Sequence, residues 1–253
     1  VPMFHLGFPQ DSLEILQTGE TLSKEVGDEK GLAHFLSLIG QYYAWKGENL
    51  LQAIQYSEDS FKEAEKINDI ELMAPVGADL VLLYFWMGEY VKVTDIASKV
   101  ISLLEKTQRQ AEFFGRPYNV YSFLHAWHAT CSWRMGNFEE GEALFEKGLD
   151  FALKIKDVFS LSALELDRGW DFILKGDAKT AIEHCQNCFR YCEEGQIILP
   201  LVANWIGLGW AYWLLGDLET AHKHMEKGLR IQIDAGVPFD LGLFYAFAGI
   251  VDL

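Results

Sequence analysis

The chain has 253 residues, of which half are hydrophobic and 14% aromatic. That is enough apolar surface for a sizeable core and excludes intrinsic disorder. With 21 Lys+Arg against 37 Asp+Glu, the formal charge is -16. The chain lacks the basic excess that displaces counterions from nucleic acid or draws a protein to an anionic membrane, so neither is expected as a partner.

In chain order, the sequence reads as a repeated helical hairpin. Residues 1–26 read as the second helix of a pair whose first helix is absent. Aromatic-rich first helices follow at 32–46, 76–87, 118–135, 161–175 and 201–215. Each is followed by an amphipathic second helix, at 51–66, 90–106, 138–154, 178–193 and 218–233. In 138–154, Leu144, Phe145, Leu149 and Ala152 recur at helical spacing, while Glu139, Glu142 and Glu146 mark the wet face. Between the two helices of each pair stands a glycine: Gly47, Gly88, Gly136, Gly176 or Gly216. The intervals between these glycines are 41, 48, 40 and 40 residues. Glycine permits the positive φ that ends a helix, and the adjacent Asp or Asn can cap the next one.

No strand-like alternation competes. The expectation is an all-α protein built as one array over 1–253, with repeats at 32–67, 74–110, 118–155, 160–193 and 200–235. A half repeat stands at each end, 1–26 and 239–253. Residues 197–216 carry no charge over 20 positions, the length of a membrane span. Pro200 and Asn204 interrupt that stretch, and Asp79, Glu165, Asp167 and Asp171 stand in other copies of the repeat, so a packed helix is expected.

The last full unit is the most specific. Trp205, Leu208, Gly209 and Tyr212, followed by Gly216 and Ala221, match W-x2-L-G-x2-Y…A in order and spacing. This resembles the tetratricopeptide repeat. Gly209 and Ala221 are small where two helices of a pair would cross closely, and Trp205, Leu208 and Tyr212 would fill the space around the crossing. The period of about 40 exceeds the roughly 34 residues usual for the family. That long period, and the insertion between Lys106 and Tyr118 containing Phe113, Phe114, Gly115, Arg116 and Pro117, resemble the carboxy-terminal repeats of large bacterial signalling ATPases. Some of those are joined to nucleotide cyclase domains. The resemblance implies a right-handed superhelix of antiparallel hairpins, with the ATPase and any cyclase domain upstream. It also implies flanking repeats, or self-association through cut ends.

The chemistry of catalysis is not visible. No G-x4-G-K-[ST] loop, G-x-S-x-G elbow or H-E-x-x-H motif occurs. Cys185, Cys188 and Cys192 share one helical face, which makes a metal conceivable. However, Cys185 and Cys188 stand where Met225 and Gly228 stand in the next unit, so helix packing is the better reading. The expectation is a non-catalytic protein with no cofactor and no metal. Four cysteines, three of them within eight residues, lack the spread of a disulfide framework and point to a reducing compartment, the cytoplasm.

If first helices line the inner side of the array, as the resemblance implies, positions counted back from each turn glycine place Trp45, Trp86, Trp133, Arg134, Trp170, Trp210 and Trp213 along a groove. Ile206 is also expected to face it. These residues are the candidates for binding a protein or peptide, which includes other domains of the parent chain. The alternative is that the tryptophans pack on the neighbouring repeat. Another reading is a small-molecule sensor with a pocket in the irregular third repeat, around His125, Trp127 and His128.

Overall fold

The computed structural model describes residues 11–46, 49–197, 199–234 and 241–251. Residues 1–10 of the expected first half repeat, the turn at 47–48 and residues 235–240 lie outside the described residues, as does the Trp45 side chain. Among the described residues there are twelve helices and no strand. They are α1 Ser12–Val26, α2 Glu29–Lys46, α3 Leu50–Lys66, α4 Ile70–Trp86, α5 Tyr90–Lys106, α6 Val120–Arg134, α7 Phe138–Ile155, α8 Val158–Lys175, α9 Ala178–Gly195, α10 Leu199–Leu214, α11 Leu218–Asp234 and α12 Leu241–Val251.

The helices form two compact units, Val1–Met135 and Gly136–Leu253. In the first, each helix from α1 to α6 packs on the next, and the alternate helices α2, α4 and α6 also touch in succession. In the second, each helix from α7 to α12 packs on the next, with α8, α10 and α12 touching in succession. This neighbour-to-neighbour docking is how a repeat array builds a continuous core from units too small to have their own.

The turn chemistry explains the hairpins. Gly176 (φ 81°) and Gly216 (φ 79°) take the left-handed conformation that an L side chain resists. Immediately after them, Asp177 and Asp217 accept hydrogen bonds from the backbone N–H of Thr180 and Thr220, at 3.2 and 3.1 Å. Bonding from the two threonines holds both carboxyls below the ordinary carboxylate value. Several first helices begin earlier than the sequence suggests. α4 starts at Ile70 and not near Val76, because Pro75 sits inside the helix. There its missing N–H deprives only the carbonyl of Glu71, in the first turn.

Close approach is concentrated at the glycines inside helices. A Cβ on Gly209 would lie 2.9 Å from the carbonyl oxygen of Ala221, so α10 and α11 cross at that point with no room for a side chain. Ile206, expected to face a groove, is instead buried against Gly228 of α11. Trp205 lies between Phe189, tilted against it at 4.3 Å between ring centroids, and His224, stacked on it at 5.2 Å.

Gly209→Ala should destabilise the fold by about 1–3 kcal/mol through overpacking. Gly242→Ala, where nothing stands within 4 Å, should be neutral or stabilising, and urea melts of the two variants check the contrast. Because the Asp177 and Asp217 carboxyls are depressed in the folded state, their stabilisation is present above the ordinary carboxylate value and is lost as pH falls through the folded one. Asp177→Asn with Asp217→Asn keeps the cap but removes the titration. The gap in melting midpoint between wild type and this double variant should therefore hold at neutral pH, narrow as pH falls below the ordinary carboxylate range of about 4, and vanish below the folded-state value. A gap that stays constant would refute the assignment.

Candidate functional site

The expected groove residues fall into two sets, one in each unit. In the second unit, Trp170 of α8, Trp210 and Trp213 of α10, and Phe247 of α12 form one aromatic cluster. Ring centroids are 5.8 Å apart for Trp170–Phe247, 4.6 Å for Trp210–Phe247 and 5.0 Å for Trp210–Trp213. Gly207 makes room for the Trp170 indole, which would stand 3.3 Å from a Cβ there. All three tryptophans are half-buried. Phe247 was not singled out in the sequence. Its signal was an aromatic on the apolar run 241–251.

In the first unit the candidates separate. Trp86 ends α4 with 39% exposure, whereas Trp133 is 7% exposed and takes a core position. Arg134 is exposed, with its guanidinium 4.6 Å from the Phe85 ring centroid and 5.9 Å from that of Tyr90. A cation over aromatic faces is held by the ring quadrupole, and Arg134 Nη1 also donates to the Tyr90 hydroxyl at 3.4 Å. Of the third-repeat residues, His125 and His128 are buried and Trp127 is half-buried: His125, 1% exposed, meets Tyr121 edge-on at 4.6 Å. Trp127 meets Phe85 at 4.4 Å.

Charge enters both units in buried or half-buried places. In the first, the Nη2 of Arg116 donates to Asp79 and, at 3.3 Å, to the Pro75 carbonyl. Gln41 Nε2 donates to the same Asp79 oxygen at 3.1 Å. Burial outweighs these partners and raises the Asp79 carboxyl above its ordinary value. In the second unit, Arg168 of α8 pairs with Glu142 of α7 and lies 4.6 Å from the Phe172 ring centroid. His184 of α9 sits 2.7 Å from Glu165 and stacks on Phe172. The sequence reading named Asp79 and Arg116 without pairing them. Asp79 was legible as a carboxylate inside an otherwise apolar helix, but its partner lies 37 residues away.

The thiols pack as their repeat positions suggest. Cys185 Sγ would lie 3.3 Å from a Cβ on Gly169, just as Met225 faces Gly209. Burial pushes the Cys185 thiol up to about 12. Cys188, hydrogen-bonded to the Cys192 sulfur at 3.8 Å and buried, is held protonated. Among the described residues, no group of three or more His, Cys, Asp and Glu is placed to hold a metal ion. No described helix is long and apolar enough to cross a membrane.

Residues 202–232 match the family model of the tetratricopeptide repeat. The chain carries a tetratricopeptide repeat and has the tetratricopeptide-repeat fold. A tetratricopeptide repeat protein from Parabacteroides merdae superposes with a TM-score of 0.62 at 14% identity, covering 99% of this chain and 88% of that one. A Signal Transduction ATPase with Numerous Domains from Pyrococcus horikoshii, described with a tetratricopeptide repeat sensor, gives 0.65 at 18% identity. That match covers 98% of this chain but 37% of the ATPase. Aspartyl phosphate phosphatase F from Bacillus subtilis gives 0.68 at 17% identity, over 91% of this chain and 59% of the phosphatase. No curated protein matches the chain by sequence.

The thiol environment is directly testable. In the folded protein, Cys185 and Cys188 should resist iodoacetamide at about pH 8, and all four cysteines should react after unfolding in urea. Mass mapping of the adducts checks this. Alkylation of Cys185 in the folded protein at the rate of a free thiol would refute the packed reading.

Proposed function

We propose that this chain is a non-catalytic interaction scaffold that binds a protein or peptide segment on the faces of its first helices. The observation that carries the reading is the half-buried cluster of Trp170, Trp210 and Trp213 on successive first helices. Aromatic side chains that are part-covered and rigid are the type that dominate binding energies when a partner completes their burial. In the first unit, Trp86 and Arg134 present an exposed indole and an exposed cation stacked on rings. Trp133 and Trp45 belong to the same proposed set.

The likeness to the Pyrococcus horikoshii ATPase, described with a tetratricopeptide repeat sensor, supports placing this chain as the regulatory region of a larger signalling protein. Its partner on that reading includes other domains of the parent chain. The net charge of -16 favours a partner segment that carries positive charge. The four buried thiols, none of them in a disulfide, fit a reducing compartment.

Selection from a displayed peptide library on the intact chain tests the reading. Peptides that enrich on wild type should lose about tenfold or more in affinity for Trp170→Ala with Trp210→Ala, a change of about 1.4 kcal/mol. Far-UV circular dichroism should show the helices retained. Binders that ignore both tryptophans, or no binders at all, would overturn it.

A further inference from the structure

The connection between α5 and α6, residues 107–119, is the one long turn described in the first unit, where the other described turns take two or three residues. It is tied down along a single stripe of α4. Arg109 pairs with Glu71 at one end, while Arg116 bonds the carbonyl of Pro75 and the carboxylate of Asp79 at the other. Glu71, Pro75 and Asp79 follow one another at four-residue spacing, and Leu82 and Trp86 continue the same stripe. The segment therefore covers the first half of a stripe whose second half ends in the exposed Trp86.

The grip is incomplete. The Arg116 and Asp79 side chains are only 11% and 17% exposed, yet just one guanidinium nitrogen, Nη2, reaches the carboxylate. The Arg116 Nε is buried and has no hydrogen-bond partner. A guanidinium normally meets a carboxylate through two parallel bonds, and a buried donor left unmade weakens the arrangement. The segment also holds Phe114 at φ 50° just before Gly115 at φ 73°, a conformation that a bulky residue resists. The Asp79–Gln41 cradle is thus a built cation site, filled from one side by a poorly fitting resident.

We propose that residues 107–119 are a displaceable strap, and that the Asp79 cradle is a guanidinium site taken by an arginine of an extended partner segment once Arg116 leaves. The incoming arginine pairs with Asp79 through both terminal nitrogens, and its neighbours lie along Leu82 and Trp86. The Gln41 amide, on a different first helix, stays as the second wall of the site. This rests on the reading of first-helix faces as binding faces and names the chemistry of the partner in the first unit.

The test uses the full chain with N-acetyl-arginine amide as probe, N-acetyl-lysine amide as control, and thermal shift with calorimetry as readouts. Arg116→Ala should melt below wild type, because it leaves a buried carboxylate unpaired. Arginine amide should then raise its midpoint saturably, with an affinity about tenfold or more above that of lysine amide. Wild type should need more probe, since the strap competes for the site. Arg116→Ala with Asp79→Asn should recover stability and lose the response. A response that survives Asp79→Asn, or no response in folded Arg116→Ala, overturns the proposal. If Arg116→Ala does not fold, Arg116→Lys keeps the charge with a poorer fork. It must then respond to arginine amide more strongly than wild type, and an equal response refutes the strap. Loss of peptide capture in the Trp170 and Trp210 variants leaves this readout untouched, so the two readings fail separately.

Discussion

The arrangement depends on helix pairs crossing where there is no side chain. At Gly209 an added Cβ would meet the carbonyl oxygen of Ala221 at 2.9 Å, and at Gly169 it would meet the Cys185 sulfur at 3.3 Å and the Ala181 carbonyl at 3.6 Å. The two sites are one repeat apart. Gly40 makes the same approach to the carbonyl of Ala53, at 3.2 Å. A glycine inside a helix costs about 1 kcal/mol relative to alanine, so it persists where the close crossing returns more in packing than that. With the crossing point fixed, the remaining choices are constrained. The turn glycine sets where the chain reverses, and the position of the crossing decides which stripe of each helix is buried.

Close crossings alone would still leave apolar helices free to slide by a turn. The buried and half-buried charges oppose that. Arg168 reaches Glu142 on one neighbouring helix while His184 reaches Glu165 from the other. Tyr84 donates to Glu58 and Tyr121 to Glu105, at 2.6 and 2.7 Å, each from a first helix to the second helix before it. Net stabilisation from such pairs is small, because desolvation consumes most of the attraction. Their effect lies in the alternatives. Sliding a helix by one turn would strand the buried Glu165 carboxylate in an apolar interface, which costs several times more than its pair gains.

This division explains what was legible from residues alone. Local signals were clear. The Gly-Asp turns at 176–177 and 216–217, and the motif from Trp205 to Ala221, announce their conformation within a few residues. Helix phase was legible only where one face is polar. α6 is buried at nearly every position from Val120 to Trp133, so its apolar pattern has no direction and the assignment of Trp133 to a groove had nothing to orient it. Ile206 was misplaced for the same reason, on a helix apolar almost all round. Long-range pairs were not legible, since nothing near Asp79 in sequence points to Arg116.

Length itself carried the remaining information. One interval between turn glycines is 48 residues where its neighbours are 41 and 40, and the surplus lies in residues 107–119. A segment without regular structure in a compact array pays loop entropy unless contacts hold it. Here Arg109, Arg116 and Asn119 hold it, the last by donating to the carbonyls of Gln110 and Glu112. The face of α4 is thereby covered by the chain's own strap, and the aromatic face of α8 and α10 is partly covered by Phe247. On the proposed reading, recognition in the first unit is an exchange of a resident group for an incoming one. Affinity is then set by the difference between two similar contacts, so a modest change in the resident's fit shifts the balance without altering the scaffold that presents it.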